Sequence, residues 1–188
     1  MTFQDYKDLF DAILNGKVTT SPYDDEHFIE YVKLNQSRQN RWLKKGKINH
    51  ELQSIVERIN KPQHWILITE PWCGDASHSV PFICMLAQLN TNIHLEIQLR
   101  DADNSEIGNY LTNESKSIPK LVVRDSNGKD LFNWGPRPKK CQDVYDDMKS
   151  KEVAFVELKK ALQDWYNNDN GESLQNELKP LLETTISF

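Results

Sequence analysis

Cysteine is scarce in this 188-residue chain: Cys73, Cys84 and Cys141 are the three, an odd number at wide spacing. Such a set is a poor disulfide framework and reads as reduced thiols. Long apolar runs are also missing, since no stretch approaches the ~20 residues of a membrane span. The opening MTFQDYKDLF is amphipathic and acidic, without the basic-then-apolar order of a secretory signal, so the expected location is cytoplasmic. Excess positive charge is lacking too. With a net charge of −5 and a pI near 5.6, nucleic acid is not the expected main partner. The one basic cluster, Arg41 to Lys47, is short and reads as a solvated helix end rather than a phosphate site.

What is present suits a folded globular protein: 38% hydrophobic residues, enough for one good core, against 27% charged. The first sixty residues carry helical periodicity throughout. Phe3, Tyr6, Leu9, Phe10, Ile13 and Leu14 form one stripe behind a Thr2/Asp5 capping pair. A second segment opens at Ser21-Pro22 with Phe28, Tyr31, Val32, Trp42 and Leu43, and a third aligns Ile48, Leu52, Ile55, Val56 and Ile59. The texture changes at residue 64. HWILIT reads as a buried strand, and NIHLEIQLR alternates like a half-buried strand near a sheet edge. Leu121–Val123 and Leu131–Trp134 flank an Asn127-Gly128 hairpin turn. One long helix is expected from about Pro138, with Cys141, Val144, Tyr145, Met148, Val156, Ala161, Leu162 and Trp165 inward, then a final amphipathic segment after Asn167–Gly171. The order β-α-β-α-β-β-α predicts an α/β fold with a mixed sheet flanked by helices. The expected organisation is an N-terminal helical extension over 1–61, a core domain over 62–166 and a C-terminal helix over 167–188.

Between the first strand and its helix stands EPWCGDAS, with a single thiol at the corner. A cysteine at the first turn of a helix meets unpaired N–H groups and the positive dipole end, which favour thiolate. That placement can bring a thiol from about 8.5 to roughly 3.5–7.5. Asp75 opposes it: two unit charges ~6 Å apart repel by about 0.7 kcal/mol in water and about 3 at an effective dielectric of 20. The dipole's help is largely cancelled, so no strongly acidic thiol is expected.

The WCGDA corner after a buried strand, Pro81 eight residues beyond Cys73, Ile118-Pro119 before the hairpin and Gly135 after it resemble a thioredoxin-like fold over residues 62–165. The added helices are similar to a bacterial subgroup with a helical extension. The resemblance implies a cis-proline at Pro119, with Ile118 offering its backbone to an extended ligand strand, and a closing glycine at Gly135. Cys73 is then the catalytic nucleophile, and Trp72, Gly74, Asp75, Ile118, Pro119, Gly135 and Arg137 line the substrate site. Arg137 would sit on the rim, either as a clamp for a carboxylate such as one end of glutathione or as a plain surface arginine. There are departures. Ala76 stands where a second cysteine would resolve the mixed disulfide, Leu67 replaces the usual buried acid, and Lys120 replaces the usual threonine after cis-proline. Glu70 could partly substitute for the missing acid or be merely solvated.

Cys84 lies eleven positions beyond Cys73, about 16 Å of helical rise, and reads as core. Cys141 could resolve only if the Gly135 loop brings its helix near. His78 reads as a helix-surface histidine, and His64, His78 and His94 occupy different elements, so no protein-only metal site is expected. The function implied is monothiol thiol–disulfide exchange, with glutathione or another small thiol as co-substrate and no bound cofactor. Partners would be protein or small-thiol disulfides, with no membrane or nucleic acid. A non-catalytic peptide-binding module is the alternative, and an iron–sulfur carrier a third reading.

Overall fold

Thr2 opens the first helix with a reciprocal cap: its hydroxyl accepts from the Asp5 amide at 3.1 Å while the Asp5 carboxylate accepts from the Thr2 amide at 2.8 Å. The computed structural model describes residues 1–186. Three helices precede the sheet: α1 (Phe3–Leu14), α2 (Glu26–Lys45) and α3 (His50–Glu57). Asp25 caps α2 through the His27 amide and Asn49 caps α3 through the Leu52 amide, each such cap being worth about 1 kcal/mol. Tyr6, Phe10 and Ile13 of α1 are buried, as are Leu52, Ile55 and Val56 of α3.

Four strands form one mixed sheet in the order β2-β1-β3-β4: β1 (Gln63–Thr69), β2 (Ile93–Leu99), β3 (Lys120–Asp125) and β4 (Asp130–Trp134). β1 pairs parallel with β2 and antiparallel with β3, and β3 pairs antiparallel with β4. The parallel pair is joined by α4 (Gly74–Ala87), as a parallel connection requires. This is the expected α/β fold. The central strand β1 is apolar almost throughout because both faces are covered. Helix α2 lies along α4, α3 along α7 (Glu172–Glu183), and α1 reaches both α2 and β2. One continuous apolar core runs from Tyr6 in α1 to Leu182 in α7.

The single helix expected after Pro138 is two: α5 (Lys139–Ser150) and α6 (Phe155–Asp169), separated by a turn in which Glu152 takes φ +52°. The break resets the helical phase. Leu158 and Tyr166 therefore face inward, while Val156 is exposed and Trp165 only half-buried. Helix α6 also runs through the expected boundary at 166 to Asp169, and residues 187–188 of the final segment lie outside the described part.

Candidate active site

Strand β1 ends at Thr69, and Glu70-Pro71-Trp72 turns the chain so that the Cys73 amide donates to the Glu70 carbonyl at 3.1 Å. Cys73 occupies the cap position of α4 with extended backbone angles, its side chain making no cap bond. The thiol instead donates to the Ile118 carbonyl at 3.5 Å, and the Ile118–Pro119 bond that follows is cis. Gly135 closes on the same loop: with φ +118°, a Cβ there would fall 2.2 Å from the Pro119 carbonyl oxygen. Cys73, Ile118, Pro119 and Gly135 are thus brought to one corner at the end of the central strand.

The sulfur is not open to solvent. Cys73 is 7% exposed, and burial pushes its thiol up to about 12. The Asp75 carboxylate adds to that rise. The Ala76 amide, the Arg137 charge and the Asp75 amide pull the other way without overcoming it. The favourable helix end expected from the sequence exists, but desolvation outweighs it.

Residues 22–149, more than half of the chain, match the family model described as Thioredoxin. The chain belongs to the thioredoxin family. Among solved structures, a protein of unknown function from Pseudomonas aeruginosa is similar, with 21% identity and a TM-score of 0.53 over 76% of this chain and 90% of its own. An HIV epitope scaffold is similar at 15% identity and a TM-score of 0.51, over 100% of this chain and 96% of its own. These likenesses concern the fold alone. No curated protein matches in sequence.

Within this thioredoxin-like corner Asp75 is not a free charge. Its carboxylate accepts from Arg137 Nη2 at 2.6 Å and Nε at 3.3 Å, and from the Tyr166 hydroxyl at 2.7 Å. Arg137 also donates to Gln142 and lies over the Tyr145 ring at 4.5 Å. The expected rim clamp is therefore occupied. Asp75, two residues beyond Cys73 in the first turn of α4, already holds the fork that a substrate carboxylate would need. Cys141, at the start of α5, is buried in this cluster beside Tyr166, Asp75 and Arg137, and burial pushes its thiol up to about 12. Cys84 is buried within α4, as core packing requires, and burial raises its thiol as well.

His78 is not on the surface. It is 4% exposed, because α2 covers that face of α4. Its Nδ1 accepts from Trp42 Nε1 at 2.9 Å, so Nε2 carries the proton and faces Gln163 Oε1 at 3.2 Å. The ring stacks on Tyr166 at 4.2 Å. Burial, helped by the Arg38 and Arg41 charges, brings its pKa down to about 3.

Glu70 is buried rather than solvated. One oxygen accepts from the Asp101 amide at 3.1 Å and the other from the Tyr23 hydroxyl at 3.3 Å, and burial raises its pKa. It ties the helical extension and the loop after β2 to the corner. Lys120 spends its ammonium on Thr112 Oγ1 and the Gly135 carbonyl, bracing loops rather than facing the sulfur. Trp72 is half-buried, edge-on to Phe28 of α2 at 5.9 Å and beneath the Arg100 guanidinium at 4.6 Å.

Helix α2 contributes more to this corner than its apolar residues foretell. Asn35 donates to the Pro71 carbonyl at 3.0 Å, and Arg38 approaches Gly74. The usable signal is Val32, Asn35, Gln39 and Trp42 at 3-4-3 spacing, an inward stripe with two amides in it, all four buried.

Proposed function

We propose that the protein carries out slow monothiol thiol–disulfide exchange through Cys73, with an external thiol as resolver. The Cys73 thiolate attacks one sulfur of a substrate disulfide, the old S–S bond breaks, and the leaving thiolate takes up a proton. Because residue 76 is alanine, a second thiol molecule, glutathione or another of its class, attacks the mixed disulfide. That step restores Cys73 as a thiol and carries away the captured group as a new disulfide. The supporting observation is the sulfur's position: 3.5 Å from the Ile118 carbonyl, beside Pro119, on the cap residue of α4.

A second reading, a peptide- or protein-binding module, is favoured by the buried thiol. With a pKa near 12 only about one sulfur in 10⁵ is ionised at pH 7, so exchange needs the corner to open. The test is deglutathionylation of a glutathionylated peptide with excess thiol, together with intact-mass analysis after oxidised glutathione. Exchange predicts a reversible adduct on Cys73, turnover lost in Cys73→Ser and unchanged in Cys84→Ser. No turnover in the native protein, with a peptide held noncovalently along Ile118–Pro119, would establish the binding module instead.

A further inference from the structure

Three acids or cations near the corner are already engaged: Asp75 by Arg137 and Tyr166, Glu70 by Tyr23 and the Asp101 amide, and Arg100 by Asp101. Arg38 differs. A Cβ on Gly74, the residue after Cys73, would lie 4.0 Å from Arg38 Nη1, so this guanidinium stands at the mouth of the corner. Gly74 itself is exposed there. Among the described residues Arg38 makes no ion pair; its one side-chain bond is Nη1 to Asn35 Oδ1 at 3.0 Å, which leaves most of its donors unused. Helix α2 offers it no acid at neighbouring turns, since every residue from Lys33 to Lys45 is neutral or basic. The charge it feels is that of Arg41, of the same sign.

We propose that Arg38, supplied by α2 from outside the strand-and-helix core, receives a carboxylate of the molecule that docks at Cys73. The inference rests on the reading that disulfide-bearing molecules dock at this corner and adds which ones: those with a carboxylate close to the sulfur. A half-buried guanidinium already crowded by a like charge gains more from a paired carboxylate than a solvated one does. The planar fork also suits two parallel N–H···O bonds, a geometry that lysine cannot match. Arg137, bound to Asp75, cannot serve in its place. The carboxylate has two chemical sources, glutathione itself or an Asp or Glu flanking the disulfide in a peptide. Arg38 is thus a positioning residue that selects anionic disulfides, whichever way the captured sulfur is later released.

The test uses the full chain and thioether ligands that cannot exchange, so it reads docking apart from redox turnover. Four are titrated by calorimetry: S-methylglutathione, its dimethyl ester, an S-methylcysteine peptide flanked by glutamates, and the same peptide with glutamines. The native protein should bind at least one carboxylate ligand about tenfold more tightly than its neutral counterpart. Which one does so identifies the source. Arg38→Gln should remove that difference, weakening the anionic ligand about tenfold and leaving the neutral one unchanged, while Arg38→Lys should restore part of it. Equal affinity for acid and neutral ligands, an unchanged preference in Arg38→Gln, or no binding of any of the four would overturn the proposal. Melting curves confirm that both variants fold. Native protein that prefers the acid ligand through Arg38 yet turns over no disulfide would sink the exchange reading while leaving this one standing.

Discussion

Arg137 and Asp75 face each other across 2.6 Å, each side chain 13% exposed, with the Tyr166 hydroxyl completing the carboxylate's set. Loop 135–138 and the first turn of α4 are thereby locked together beside Cys73. The pair also settles a balance at the sulfur: Asp75 disfavours the thiolate and Arg137 favours it, so the two charges partly cancel there.

Asp75→Asn should uncouple that balance. The remaining Arg137 charge would stabilise thiolate unopposed, and alkylation of Cys73 by iodoacetamide at pH 8 should rise about tenfold. The same change leaves a mostly buried guanidinium without its anion, so urea unfolding should show a loss of about 3 kcal/mol. A variant of native stability and native alkylation rate would mean that the pair matters to neither.

Gly135→Ala meets two obstacles together. Its φ of +118° is unfavourable for any side chain, and its Cβ would collide with the Pro119 carbonyl oxygen. A loss of about 3 kcal/mol is expected, or a melting point lower by about 6–12 °C. Gly16→Ala is the control, since Gly16 also has positive φ (+69°) but nothing within 4 Å. It should cost only about 1 kcal/mol.

The succession of strands and helices along the core, the hairpin and the corner are legible because each rests on local signals: apolar runs, an Asn-Gly turn, a proline at fixed spacing. What escaped was set by packing between distant segments. Helix α2 reads as a polar helix with a few aromatics, and only its position across α4 turns Asn35, Gln39 and His78 into buried groups. Arg137 reads as available because its partner, Asp75, is 62 residues away in sequence. The Lys151–Ala154 break carries no glycine or proline, so the sequence reads as one continuous helix whose phase turns Trp165 rather than Tyr166 inward.

His78 gives a pH dependence of known sign. Its pKa is about 3 in the folded chain against an ordinary 6.5, so the native state keeps the ring neutral while the unfolded state protonates it. Unfolded chains bind the extra proton below 6.5, and stability must fall as pH drops from 6.5 toward 3. Between pH 6.5 and 4.5 the loss should be about 2 kcal/mol by denaturant titration. The geometry states the cause independently: a protonated Nδ1 would point its hydrogen at the Trp42 N–H. His78→Gln should flatten this part of the profile, and an equally steep profile in that variant would remove His78 as its source.

Cys73 titrates in the opposite sense. Its folded pKa of about 12 lies above the ~8.5 of an unfolded cysteine, so its contribution to stability is intact below pH 8.5 and is lost as pH climbs toward 12. Only the thiolate alkylates. The rate for the folded chain should therefore rise about tenfold per pH unit from 7 to 10 without a plateau, whereas chain unfolded in guanidinium should level off above pH 9. At pH 8 the folded rate should be about 10³-fold the slower, from the two ionised fractions. The first adduct should fall on Cys73, the least enclosed of the three thiols at 7% exposure against 1% for Cys84 and 0% for Cys141. A rate that saturates near pH 7 would show a sulfur reaching solvent and the helix end more freely than this closed corner allows, and exchange at Cys73 would then need no opening step.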